Sequence, residues 1–254
     1  MNPISVIAAN TFRQVVRERL FYNLLVFGVG MIVFSGLVGA LTFGHAARVV
    51  CSIGLSGVSF VLDLVALLVG VALIHQEIDR KTLFVVLTRP LHRWQYAAGR
   101  YLGLVAVLAT ALAGLSLIFA LALTLAKGSF GANEAMALLL SFPEAAIIGA
   151  FALVLSAFST PTLSAGLGIG FWIICSTTDD LVRLSRNSGP VAESLAKFAY
   201  YALPSLARFN LREAAVYQQA IPWADTAAAL VYGGLYAAFL ASLAGLILSK
   251  RDMV

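Results

Sequence analysis

Histidines and carboxylates that could bind a metal ion or carry a proton fall close together in one stretch of the chain. His75, Glu77, Asp79 and His92 all lie between positions 75 and 92. On a helix, residues 75 and 79 share a face whereas residue 77 points away, so this spacing does not gather three metal ligands. The pattern favours a polar cluster that faces solvent or a partner protein, and we predict no metal site.

A nucleophilic serine is suggested by Gly54-Leu55-Ser56-Gly57, which matches the GxSG sequence of the rhomboid proteases. Catalysis of that kind needs a base within hydrogen-bond reach of the serine. No histidine follows His92, so no late span can supply this base. An intramembrane enzyme is therefore the weaker alternative, and the small residues at positions 54, 56 and 57 indicate close helix packing.

Two carboxylates interrupt long apolar runs. Asp63 lies in the middle of the second run, and Glu144 lies in the fourth, directly after Pro143. A charge at the bilayer centre costs about 2.5–3.5 kcal/mol on insertion scales, so each side chain should face protein or water. One interpretation is a polar pathway or an ion-coupled site. The others are a structural hydrogen bond, a subunit contact or, for Glu144, a position near the outer headgroups.

The elements that position these side chains must be membrane-spanning helices. Hydrophobic residues make up 61% of the 254 residues and charged residues only 11%, against about 25% in soluble domains. The net charge of +5 does not indicate nucleic acid, because the basic residues lie at the ends of apolar runs. We predict an all-α polytopic membrane protein that forms a single domain, residues 1–254.

Six apolar runs approach the roughly 20 residues that a helix needs to cross the hydrocarbon. The predicted spans are Leu20–Phe43, Ser52–Ile74, Tyr101–Ala126, Ala137–Phe158, Leu163–Thr177 and Thr226–Leu248. The fifth is short, so it begins within 159–162 or leads into backbone that stays at membrane depth. Six spans place both ends of the chain on the same side.

The positions of lysine and arginine predict which side that is. The segments on the side of the termini are 1–19, 75–100, 159–162 and 249–254. They carry ten Lys and Arg, whereas the two short segments on the other side carry two and the long one, 178–225, carries five. Since long loops weigh less in this rule, both termini are predicted to be cytoplasmic, in the cell inner (plasma) membrane.

Two further regions are predicted to lie at the membrane surfaces. Residues 1–19 form an amphipathic helix on the inner surface, which starts at Asn2-Pro3. Its apolar face is Ile4, Ala8, Phe12 and Val15, and its polar face is Asn10, Arg13, Gln14 and Arg17. The outer segment 178–225 is expected to contain short helices that rest on or dip into the outer leaflet, with a break at Pro204.

Residues 75–100 carry seven of the 29 charged residues, between two apolar runs. A short helix with an apolar centre and charged shoulders is suited to insertion into a groove of a cytosolic partner. The chain contains no GxxxxGK[ST] sequence, so it has no phosphate-binding loop of its own. We expect no cofactor in this chain and any nucleotide chemistry in a partner.

The stretch 75–103 resembles the cytosolic loop of ABC-transporter permeases of the type-2, exporter-like class. In that class a glutamate ends the second span, and a run of the form dR-x-T-L-x-x-L-x-x-R-P-x-x-R leads to G-(K/R)-x-L-G. The matching residues here are Glu77, Asp79, Arg80, Thr82, Leu83, Leu87, Arg89, Pro90, Arg93, Gly99, Arg100, Leu102 and Gly103. Lys81 stands where the class usually has glycine. Weaker similarity at 203–214 and in the closing SKRDMV resembles the multicopper-enzyme-maturation branch, which includes nitrous-oxide-reductase maturation permeases.

The resemblance implies a permease subunit with an N-terminal elbow helix and a coupling helix between spans 2 and 3. Residues Glu77 to Arg93 of the match would contact one of two ATP-binding cassette ATPase subunits, which bind ATP and Mg²⁺. The partner permease would be a second copy or a sibling, and a periplasmic or membrane accessory protein is a further implied partner. The route would be lined by spans 1, 2 and 5, and either export or transmission of force is implied. The alternative is a cassette-independent carrier that uses Asp63, although no inverted repeat is seen.

Overall fold

The computed structural model describes residues 3–42, 45–79, 93–178 and 203–250, with side chains described except at 74–79, 93 and 248–250. Within these ranges the regular structure is entirely helical. The helices are α1 (Pro3–Val16), α2 (Arg19–Leu41), α3 (Ala46–Asp79), α4 (Arg93–Leu125), α5 (Ala132–Ser156), α6 (Pro161–Ser176), α7 (Arg212–Val216) and α8 (Trp223–Lys250), with a 3₁₀ turn at Leu206–Phe209.

Five of the helices are long and apolar enough to cross a membrane, namely α2, α3, α4, α5 and α8. The fifth predicted span is observed as α6, which has 16 residues. At 1.5 Å per residue it is about 24 Å long, less than the roughly 30 Å of a hydrocarbon core. Five of the six predicted spans are therefore long enough to cross, and α6 is a shorter apolar helix.

The centre of the bundle is formed by α3 and α5, which pack together more extensively than any other pair of described helices. Of the residues in the apolar part of each helix, 72% are buried in α3 and 83% in α5, whereas only 22% are buried in α2. Lipid is as apolar as the side chains, so such contacts depend on close packing at small residues. Gly70 provides it: a Cβ there would lie 2.8 Å from the Ala152 Cβ.

The small residues of the GxSG match have a packing role, as the sequence indicated. A Cβ on Gly54 would lie 2.5 Å from the Phe119 ring of α4, and one on Gly57 would lie 3.2 Å from the Met31 Cβ of α2. These two glycines let α3 approach both neighbours. The described part of the chain thus supports the packing interpretation of this motif.

Helix α1 packs along the start of α4. Cβ atoms on Gly99 and Gly103 would lie 2.8 Å from the Ile7 Cβ and 2.5 Å from the Thr11 Cβ. The buried side chains of α1 are Thr11 and Val15, with Ile7 and Phe12 packed beside them. The predicted apolar face was therefore nearly right, but Thr11 lies at its centre because a small side chain is needed against Gly103.

The predicted polar face of α1 needs one correction. Arg13 and Arg17 are exposed, but Gln14, which was assigned to the same face, is only partly exposed and contacts protein. Its Oε1 accepts a hydrogen bond of 3.1 Å from the Arg100 guanidinium, which also donates to the Tyr96 hydroxyl at 3.0 Å. Arg100 is only 3% exposed, so this polar contact fixes α1 to α4 within a buried environment.

The chain between α6 and α8 folds back into the bundle in its described part, 203–222. Leu206 and Phe209 are fully buried, and the Phe209 ring would be 3.1 Å from a Cβ on Gly233. Gly233 is ten residues into α8, about 15 Å along the helix axis. This part of the loop is thus covered by protein, as expected, and its place in the outer leaflet stays a prediction. The predicted helical repeat before Pro204 lies mostly outside the described residues.

Candidate functional site

A cavity of about 400 Å³ lies where α2, α3, α5 and α6 meet the segment 206–212. Its volume is within the range of small-molecule binding sites. The lining combines aromatic, polar and charged side chains from all of these elements. They are Met31, Ser56, Phe60, Asp63, Glu144, Trp172, Ser176, Leu206, Ala207, Asn210 and Arg212.

Asp63 is placed in this cavity by the middle of α3, and it is only 4% exposed. Its Oδ2 accepts a hydrogen bond of 3.1 Å from the indole nitrogen of Trp172 on α6. Its Oδ1 is buried and has no hydrogen-bond partner among the described residues. This hydrogen bond comes from a neighbouring helix and satisfies only one of the two oxygens.

Glu144 lines the same cavity and is 6% exposed. It is the thirteenth of the 25 residues of α5, so it lies at the centre of that helix. A position of Glu144 near the outer headgroups stays a prediction. Helix α5 begins at Ala132 because Glu134 Oε2 accepts a hydrogen bond of 2.9 Å from the Gly131 N–H, which stabilises an extra polar turn. The structure therefore brings Asp63 and Glu144 together.

Arg212 is the positive charge of the cavity, and sequence reasoning did not single it out. It is the first residue of α7 and is close enough to Asp63 and Glu144 for its charge to act on both. The fold-back of 206–209 carries it there, anchored by Phe209 stacking on Tyr232 with ring centroids 6.2 Å apart. The only sequence signal was an arginine beside a run of apolar residues ahead of the last span.

Two aromatic residues of the cavity were also missed. The rings of Phe60 and Trp172 lie 5.7 Å apart at an angle of 54°. Trp172 lies four residues before the end of α6. A tryptophan in one apolar run and a carboxylate in another were the available signal.

The residues predicted to contact an ATPase lie almost wholly outside the described residues. Glu77 and Asp79 belong to the last turn of α3, and Arg93 is the first residue of α4, but their side chains are not described. Outside the described ranges lie Arg80, Thr82, Leu83, Leu87, Arg89 and Pro90. Their role in coupling stays a prediction, although the ends of α3 and α4 place both flanks of this loop at one end of the bundle.

The cavity groups are suited to binding a charged ligand. Two carboxyl groups face one guanidinium, and an indole N–H holds one carboxylate oxygen in a fixed position. No cluster of three or more His, Cys, Asp or Glu side chains that could hold a metal ion occurs within the described parts of the chain. Ser56 also lines the cavity and can serve as a neutral hydrogen-bonding group.

Replacement of Trp172 by phenylalanine tests the hydrogen bond to Asp63. The W172F variant keeps an aromatic ring but removes the donor, so Asp63 loses its described partner. We expect the free energy of unfolding to fall by about 1–3 kcal/mol, measured by thermal unfolding in detergent. Trp223→Phe is the control, since Trp223 is 67% exposed. Equal unfolding temperatures for Trp172→Phe and Trp223→Phe would refute the hydrogen bond. In a protein that already carries Asp63→Leu, Trp172→Phe should cost little further stability, because the acceptor is already gone.

One protein-family model matches nearly the whole chain. The family model described as "ABC-2 family transporter protein" matches residues 5–253. No match to a curated protein was found. The matched range contains every described helix except the first two residues of α1, so the family covers both the cavity and the loop between α3 and α4.

Proposed function

The chain belongs to the ABC-2 family of transporter proteins, and from that premise we propose that it couples ATP hydrolysis by separate cassette subunits to movement across the membrane. It is a transmembrane subunit of an ABC transporter. The single observation that carries the proposal is the family match over almost the whole chain. Because the chain has no phosphate-binding loop, hydrolysis is assigned to a partner.

The proposed contact surface for the ATPase is the loop between α3 and α4, residues 80–92, with Glu77, Asp79 and Arg93 at its ends. It connects one of the two central helices to the helix against which α1 docks. A displacement of this loop would therefore act on α3 and α4 together. Arg80, Arg89 and Arg93 would supply ion pairs at the rim of the contact, with Leu83 and Leu87 in its apolar centre.

The proposed route passes the cavity, whose lining includes α2, α3 and α6, the three spans expected to line it. A second permease subunit, identical or a sibling, would face it, and the segment 203–222 would form part of a lid on the outer side. The same arrangement serves export of a molecule or transmission of force to an accessory protein. The proposed location is the inner membrane with both termini in the cytoplasm.

A cassette-independent carrier is the second candidate, and one observation favours it. Asp63 and Glu144 share a cavity near the middle of their helices, as an ion-coupled site would require. The proposals differ in whether an ATPase accompanies the chain. Co-purification of the tagged chain from its native host decides between them.

Charge reversal at Arg89 and Arg93 is the sharper test of coupling. In the R89E/R93E double variant, like charges would face the acidic rim of the ATPase groove, so we expect roughly tenfold less co-purified ATPase. The yield is measured as ATPase activity per mole of purified chain. The matched control is Arg48→Glu with Lys127→Glu, two exposed cations at the opposite end of the bundle. Full retention of the ATPase in R89E/R93E would refute the assignment of this loop, and Asp63→Asn is expected to leave assembly intact.

A further inference from the structure

We propose that the central cavity binds a small organic monocation, a protonated primary amine, with Asp63 as its principal partner. This goes beyond the proposed function, because binding needs only this chain and no ATPase. Asp63 Oδ1 is buried without a hydrogen-bond donor among the described residues, and an unpaired acceptor of this kind costs about 1–3 kcal/mol. A ligand N–H in the cavity would satisfy it.

The charge of the site selects a cation. When both are ionised, Asp63 and Glu144 together carry one more charge than Arg212 can balance, and a bound cation favours that ionised form. Arg212 acts on both carboxyl groups, but Asp63 already has its Oδ2 fixed by Trp172 and so keeps a free acceptor in a defined direction. An anion would meet this acceptor with repulsion, and a neutral ligand would leave the excess negative charge unbalanced.

The aromatic pair selects an organic cation over a metal ion. The rings of Phe60 and Trp172 line the same cavity as Asp63 and are only partly buried. A cation against an aromatic face gains about 0.5–2 kcal/mol, and an alkyl chain gains from the same rings and from Met31 and Leu206. A bare metal ion would find two carboxyl groups and a few neutral oxygens beside a guanidinium in a cavity of about 400 Å³, a poor coordination shell.

The amine could come from the aqueous phase or from the ethanolamine headgroup of a lipid, and the experiment separates these sources. The full chain is reconstituted in nanodiscs of phosphatidylglycerol, which carries no amine. In a Trp94→Phe/Trp223→Phe variant Trp172 is the remaining tryptophan. A change in its fluorescence therefore reports ligand binding in the cavity. n-Butylammonium is the probe, n-butanol is its neutral isostere, and sodium chloride controls for ionic strength.

We expect a saturable change in Trp172 fluorescence with n-butylammonium and none with n-butanol or with sodium chloride at equal ionic strength. Asp63→Asn keeps the side-chain shape and the acceptor for Trp172, and it should weaken binding roughly tenfold or more. Arg212→Gln removes a positive charge that repels a bound cation, so it should tighten binding roughly several-fold. Addition of phosphatidylethanolamine to the nanodiscs should raise the apparent Kd only if the lipid headgroup is the natural occupant.

Three outcomes would overturn the proposal. They are equal responses to n-butylammonium and n-butanol, unchanged affinity in Asp63→Asn, and stronger binding of sodium butyrate than of n-butylammonium. Folding of each variant is checked by size exclusion, and if Asp63→Asn does not fold, the direction of the Arg212→Gln effect decides. Loss of binding would leave co-purification of the ATPase unaffected, so failure here is distinct from failure of the proposed coupling.

Discussion

Replacement of Gly70 by leucine is expected to destabilise the bundle more than any other single change proposed for the described residues. A Cβ at this position would lie 2.8 Å from the Ala152 Cβ and 3.1 Å from the Gly149 carbonyl oxygen. Both atoms are fixed by the backbone of α5, so no side-chain rotation relieves the contact, and α3 and α5 must separate. We expect a loss of about 3 kcal/mol or more in the free energy of unfolding, measured by thermal unfolding in detergent.

Two further variants test that the effect comes from this contact. Gly114→Leu makes the same change on α4, where nothing lies within 4 Å of an added Cβ, and it should leave the unfolding temperature nearly unchanged. Gly70→Ala combined with Ala152→Gly moves the methyl group from one helix to the other, so the pair should be more stable than Gly70→Ala alone. An unfolding temperature in Gly70→Leu equal to that of Gly114→Leu would contradict the packing described here.

The cavity should respond to the same substitution. Gly70 is seven residues beyond Asp63 on α3, two helical turns along the same face, and Gly149 is five residues beyond Glu144 on α5. Separation of α3 from α5 at Gly70 would therefore also separate the two carboxyl groups. Any ligand that requires both should bind more weakly to Gly70→Leu even at temperatures where the protein stays folded.

The apolar runs predicted where the helices lie, but not where they end. Hydropathy marks the part of a helix that is in hydrocarbon, whereas the helix itself continues until its backbone hydrogen bonds have another partner. Helix α3 begins at Ala46, six residues before the predicted Ser52, with Arg48 exposed in its first turn. The same effect is largest for α5, because the capped start at Ala132 places Glu144 at the helix centre, whereas the predicted start at Ala137 placed it in the first half.

The two intramembrane carboxylates were recognised from the sequence, but their meeting was not. A carboxylate in an apolar run is visible without a structure because of its cost, whereas the partner across the bundle depends on helix rotation and pairing. Asp63 and Trp172 are 109 positions apart. Arg212 was still less predictable, since the long connection that contains it was expected to rest on or dip into the outer leaflet, and its inward position depends on packing against Gly233, Tyr232 and the helices α3 and α5.

The docking of α1 on α4 is expected to be lost when Gly103 is replaced by leucine. A Cβ at this position would lie 2.5 Å from the Thr11 Cβ and 2.9 Å from the Ala8 carbonyl oxygen. The displacement of α1 would also break the hydrogen bond between Arg100 and Gln14 and leave a buried guanidinium with fewer partners. We expect a loss of about 2–4 kcal/mol in stability, the sum of overpacking and the broken bond.

Hydrogen exchange measured by mass spectrometry distinguishes a local release of α1 from global unfolding. In Gly103→Leu the amides of Pro3–Val16 should lose protection while those of α3 and α5 keep it, because α1 contacts α4 far more than it contacts any other described helix. Gly114→Leu, on the same helix α4 but in open space, should leave α1 protected. Since α4 begins at Arg93, directly after the proposed ATPase contact, a released α1 should also reduce ATPase recovery with the tagged chain. Full protection of α1 in Gly103→Leu would mean that α1 is held by the membrane surface and not by α4.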